Sequence, residues 1–142
     1  VDTDQNWVRK TQKLTNGKID NRLNIDWIDV GNVEKWGYPI TYEKRKNFFN
    51  YANNFYKNNY KPDLVLIDGR FRIFCFLTTL KHAPKGTKII FDDYTKRPMY
   101  HVAEEFLPLL DVCGRQALFE VNDKVKDIIS NKTLLSFQNV LL

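Results

Sequence analysis

Three carboxylates stand where a folded chain can use them. Asp68 closes the apolar run Leu64-Val65-Leu66-Ile67, and the pair Asp92-Asp93 closes Ile89-Ile90-Phe91. Where a strand ends at open water, a carboxylate costs little folding energy and can bind a ribose hydroxyl, an amine or a cation. Asp and Gly also close strands simply as turn formers, and for any one residue that reading stands level with the functional one. The acids recur, however: Asp2 and Asp4 near the start and Asp29 further on follow the same pattern. Recurrence at successive strand ends favours a site. Basic and aromatic groups flank it, with Arg70 and Arg72 just after Asp68, and Tyr94, Arg97 and His101 just after Asp93. Arg70 and Arg72 can oppose a cation, hold an anionic substrate, or pair with Asp92 or Asp93 in a structural ion pair. Histidine is the usual general base near neutral pH, so His101 can serve as one, or it can be the exposed start of a helix.

These residues need a scaffold of strands and helices. Residues 63–68 form the clearest strand, introduced by Lys61-Pro62 and closed by Asp68-Gly69; residues 88–91 repeat the form after Pro84-Lys85-Gly86. Runs that are apolar on both faces suit central parallel strands covered by helices. The helix-length stretch from Phe71 to His82 lies between them, giving a βαβ unit with a right-handed crossover. Residues 23–28 alternate as a further strand, and residues 116–121 read as another after the Gly114 bend. Helical stripes run through 5–14, 43–58 (Phe48, Tyr51, Ala52, Phe55) and 99–110, and residues 125–142 predict a closing helix. Trp36-Gly37-Tyr38-Pro39 reads as a rigid aromatic turn, either a ligand wall or cover for the sheet edge. No repeat or linker interrupts the chain, so one domain over residues 1–142 is expected.

The totals agree with a folded domain. The 142 residues are 43% hydrophobic and 14% aromatic, well above the range of chains that stay disordered. No apolar run approaches a membrane span and residues 1–20 hold no signal-peptide core, so a cytoplasmic protein is expected. The net charge of +5 is scattered among acids apart from Lys44-Arg45-Lys46, which argues against a nucleic-acid partner. Cys75 and Cys113, each in apolar company, read as buried reduced thiols. His82 reads as a surface or capping residue at a helix end, and the tail leucines with Phe137 read as core or as the face of a homo-oligomer.

The ordered acids resemble a class I S-adenosylmethionine-dependent methyltransferase beginning at its second strand. That resemblance implies an α/β fold with a Rossmann-like doubly wound sheet, mainly parallel with an antiparallel last strand, and lacking the first β-α unit. In that family an acid at the end of the second strand binds the cofactor ribose, which Val1-Asp2-Thr3-Asp4 followed by Trp7 resembles; Asp2 or Asp4 is the implied residue. The adenine-contacting turn after the third strand falls on Asp29-Val30. Leu64 to Arg70 with Ile89 to Tyr94 is similar to the metal-dependent O-methyltransferases of the catechol and macrolide-sugar type. This similarity implies Asp68, Asp92 and Asp93 as ligands of Mg²⁺, which prefers carboxylate oxygens and acidifies a bound hydroxyl. Asp68, Asp92 and His101 are then the catalytic candidates, and Arg70, Arg72, Tyr94 and Arg97 the substrate-binding ones, with a small molecule as substrate.

Two departures stand beside the resemblance. Gly17, Gly31 and Gly37 are isolated, so the family's glycine-rich loop has no counterpart. Arg70-Phe71-Arg72 follows Asp68-Gly69 where metal-dependent members carry other residues. Val1 stands where an initiator Met would, and the reading expects a longer natural gene or another segment that fills the missing central strand. The rival readings are a non-catalytic Rossmann-like module acting in assembly or ligand binding, and a nucleotide-sugar transferase using Asp92-Asp93. A serine nucleophile elbow, a phosphate-binding Walker loop and zinc spacing are all absent from the sequence.

Overall fold

The computed structural model describes residues 1–15 and 23–141. Gly17 and Leu142 lie outside the described residues. The chain falls into two compact units, Val1–Tyr51 and Ala52–Leu142.

In the first unit, helix α1 (Gln5–Thr15) is followed by the short hairpin β1 (Val33–Glu34) and β2 (Tyr38–Pro39). Residues 23–28 contribute a single parallel bridge, Asp2 to Trp27, in place of the expected strand. Its hydrogen bonds run from Asp2 N to Asp26 O and from Ile28 N to Asp2 O, each 3.0 Å. Trp36 tips the hairpin with φ 66° and is 87% exposed, so it covers no core. Gly37 is the residue that cannot change there. Its φ is +69°, and a Cβ would stand 2.3 Å from Thr3 Oγ1. The helical stripe expected over 43–58 is broken into a 3-10 turn (Arg45–Asn47), helix α2 (Phe48–Asn53) across the unit boundary, and a second 3-10 turn (Tyr56–Asn58).

The second unit is built on strands β3 (Leu64–Ile67), β4 (Lys88–Phe91), β5 (Asp111–Cys113) and β6 (Gln116–Glu120), in the order β3-β4-β6-β5. β3 and β4 pair in parallel through helix α3 (Arg72–His82), as the βαβ reading expects; β6 joins β4 antiparallel, and β5 joins β6 antiparallel. α3 is buried along nearly its whole length and packs against β3, a 3-10 segment (Pro98–Glu105), α4 (Asp123–Ile128) and α5 (Asn131–Phe137). Its centre is Phe76, whose ring meets Phe91 and Phe119 at 5.9 and 4.9 Å.

Several expectations change in detail. β3 is an edge strand, not a central one, among the described residues; Leu64 and Leu66 are 58% and 59% exposed. The amphipathic stretch at 99–110 forms only the tighter 3-10 segment, with Pro98 at its start. The closing helix is two short helices, because Asn122 and Ser130 each cap a new one by accepting a backbone N–H three residues on. Cys113 lies on β5 and is exposed, not buried as expected.

Candidate functional site

The ends of β3 and β4 lie side by side, and the chain leaves both by the same device. Phe71 after β3 and Asp93 after β4 adopt left-handed backbone, φ 53° and 55°. A non-glycine residue held there stores about 1–3 kcal/mol of strain, sustained only where the surroundings fix it. A net of arginines and carboxylates surrounds both turns.

Arg72 is the hub. It opens α3 four residues after Asp68 and is 3% exposed. Its Nη1 donates to Asp92 O at 2.6 Å and its Nε to Gly69 O at 3.1 Å. Its Nη2 lies 3.3 Å from Asp68 Oδ1 and 3.4 Å from Asp93 Oδ2. The Tyr100 ring covers the guanidinium, 5.5 Å from its carbon to the ring centre. Of the three roles open to the arginines in the sequence, the ion pair is the one Arg72 takes.

Two further arginines close the net. Arg97 pairs with Asp93 at 3.0 Å and reaches the Tyr100 hydroxyl. Arg115 lies 2.8 Å from Asp92 Oδ2 and 3.3 Å from Asp93 Oδ1, and its Nε donates to Asp92 Oδ1. Gln116 also donates to Asp92 Oδ1, at 2.9 Å. Burial pushes the Asp92 carboxyl up, but the hydrogen bonds from Gln116 and Asp68 and the charge of Arg115 outweigh it and leave the pKa below the usual value. Asp68 moves the other way. Desolvation at the crowded strand end and the hydrogen bond shared with Asp92 raise its pKa. Asp68 is thus the one of this pair that holds a proton more readily.

Tyr94 and His101 complete the surround. Tyr94 is buried, donates to Glu104 Oε1 at 2.9 Å, and stacks near His101 with centres 5.0 Å apart. Burial first, and Glu104 second, raise the Tyr94 pKa. His101 is exposed, and Arg70 is half-buried. The sequence candidates Asp68, Asp92, Asp93, Arg72, Tyr94, Arg97 and His101 are therefore gathered at one end of the sheet. Sequence reading missed Arg115, Gln116 and Glu104.

The four remaining candidates belong to the first unit. Asp4 caps α1, its Oδ1 accepting from Asn6 N and Trp7 N at 2.8 and 3.3 Å. Asp2 Oδ1 accepts from Asp4 N at 2.8 Å. Asp29 accepts from Gly31 N and from Lys44 Nζ, the latter at 2.5 Å, and these bonds lower its pKa. Val30 is fully buried.

No protein-family model and no curated protein matches the chain. Among solved structures it is similar to the crystal structure of a methyltransferase-like protein from Silicibacter pomeroyi. The TM-score is 0.81 at 28% identity, over 96% of this chain and 73% of that one. The fold is accordingly the Rossmann-like α/β fold of a methyltransferase-like domain. No helix among the described residues is long and apolar enough to cross a membrane.

Proposed function

We propose that the chain is an S-adenosylmethionine-dependent methyltransferase domain acting on a hydroxyl of a small molecule or sugar. The observation that carries this reading is the likeness, over nearly the whole chain, to a methyltransferase-like protein. Bound S-adenosylmethionine would supply an electrophilic methyl group on its sulfonium. We assign the cofactor ribose to Asp2, whose Oδ1 accepts the single backbone N–H of Asp4, whereas Asp4 Oδ1 accepts two backbone N–H groups of α1 and Asp29 pairs with Lys44. Val30, with its side chain in the core, has only backbone to offer adenine. At the strand ends, Asp68 is exposed and is the carboxylate able to take a proton from an acceptor hydroxyl; His101 is the second candidate base. Arg97, partly exposed and paired with Asp93, would meet an anionic group on the acceptor.

The same observations favour one rival. Every acid expected to do chemistry also has a structural partner, which is what a non-catalytic module of this fold would show.

Calorimetric titration of S-adenosylhomocysteine into the full gene product separates the two. One-site binding weakened by Asp2→Asn is the expected result. A full gene product that binds neither S-adenosylhomocysteine nor S-adenosylmethionine would leave the non-catalytic reading standing.

A further inference from the structure

One oxygen from each of Asp68, Asp92 and Asp93 lies within 4.8 Å of the other two, a donor set chemically suited to a hard cation. We propose that this cluster already contains its cation: the buried guanidinium of Arg72 holds the place a divalent ion would take, and the site works without metal. The inference is independent of the cofactor reading, since it concerns only what balances the three carboxylates.

Four observations carry it. Arg72 is 3% exposed and directs its N–H groups at Asp92 O, Gly69 O, Asp68 Oδ1 and Asp93 Oδ2, so it touches two of the three carboxylates and the backbone of the third. Arg97 on Asp93 and Arg115 on Asp92 are 45% and 63% exposed, where water screens their charge, so the buried Arg72 is the cation that occupies the centre of the cluster. Arg72 Nη2 already stands within 3.4 Å of two of these carboxylates, so a divalent ion would need a guanidinium that cannot lose its charge to leave first. Finally, Arg72 sits at the first position of an eleven-residue helix, where the helix dipole disfavours a cation. The acids around it, with the carbonyls of Gly69 and Asp92, offset that cost. The dependence is mutual, as it is for a metal and its ligands.

A ligand at this end of the sheet would therefore be met by the open carboxyl of Asp68 and by guanidinium groups, with no Lewis acid involved. The test is binding of Mn²⁺ to the full chain, read by the loss of the free-ion electron paramagnetic resonance signal, with Tm measured in Mg²⁺ alongside. Wild type is expected to leave Mn²⁺ free and to show no Mg²⁺-dependent rise in Tm. The double variant Arg97→Gln/Arg115→Gln, which keeps Arg72, is expected to behave the same way. Arg72→Met is expected to bind one Mn²⁺ at least roughly tenfold more tightly than wild type, a difference well resolved by titration. If that variant is unfolded in chelator, its helical circular dichroism should return when Mg²⁺ or Mn²⁺ is added. Three results overturn the proposal: a Mn²⁺ bound by wild type and lost in Asp92→Asn, a Mn²⁺ bound by the double variant, or an Arg72→Met chain that gains neither binding nor metal-dependent refolding.

Discussion

Gln116 Nε2 donates to Asp92 Oδ1 across 2.9 Å because of the way two strands pair. Phe91 faces Ala117 across antiparallel β4 and β6, so the next residues outward, Asp92 and Gln116, are neighbours. One step further, Asp93 stands beside Arg115; Tyr94 N donates to Arg115 O at 2.7 Å and holds the turn there. The partner strand thus delivers an amide and a guanidinium to the acids, although they are more than twenty residues away in sequence.

Removing that amide should cost stability in a pH-dependent way. A hydrogen bond to a charged group contributes about 1.5–3 kcal/mol, so Gln116→Ala is expected to lower the unfolding free energy by that order at neutral pH. The Asp92 pKa is lowered in the folded chain, so its contribution is complete above the unfolded value of about 4 and is lost as pH falls through the folded value. The gap between wild type and Gln116→Ala in urea unfolding should therefore narrow below about pH 4. A gap that stays constant with pH would mean that Gln116 acts through packing alone.

Arg72 and Arg115 touch the same acids and should respond very differently to the same change. Arg72→Lys keeps the charge but not the fork of donors, and breaking a buried pair costs about 3–5 kcal/mol. Arg115 is 63% exposed, and Arg115→Lys should change stability by no more than about 1 kcal/mol. Equal losses in the two variants, measured by chemical denaturation, would contradict the burial argument.

The strand-helix-strand core was legible because its signals are local: a short apolar run, a turn, and a helix-length stretch recur in order from Asp63 to Phe91. The acids at its ends were legible for the same reason. What escaped was set by pairing over distance. Arg115 looks like an ordinary hairpin residue until β6 is placed against β4. The apolar run of β3 reads as a doubly covered strand, but nothing in Leu64 or Leu66 says which neighbours the sheet will supply. The tail misled through its periodicity, because apolar spacing continues across Ser130 while the capping side chain restarts the helix.

The two cysteines should separate cleanly by reactivity. Cys113 is exposed on an edge strand, whereas burial pushes the Cys75 thiol up to about 12. Because the thiolate is the reactive form, a disulfide reagent in native buffer should modify Cys113 promptly and Cys75 only after denaturation. Mass spectrometry of the labelled chain reads this directly. Two native labels, or loss of the fast one in Cys75→Ala instead of Cys113→Ala, would contradict the assignment.

His82 supplies the last prediction, near neutral pH. It stacks on Tyr56 with ring centres 5.5 Å apart, and the Tyr56 hydroxyl bonds Thr79 on the same helix. Partial burial, and secondarily the neighbouring Lys81, lower the His82 pKa. The folded chain therefore resists a proton that the unfolded chain accepts at about 6.5. The resulting stability is complete above that value and falls as pH drops through it towards the folded pKa. Wild-type Tm should thus decline on mild acidification, and His82→Gln should flatten the decline while keeping a similar size and a polar end. A variant with an unchanged slope would show that protonation at position 82 is not what the folded chain resists.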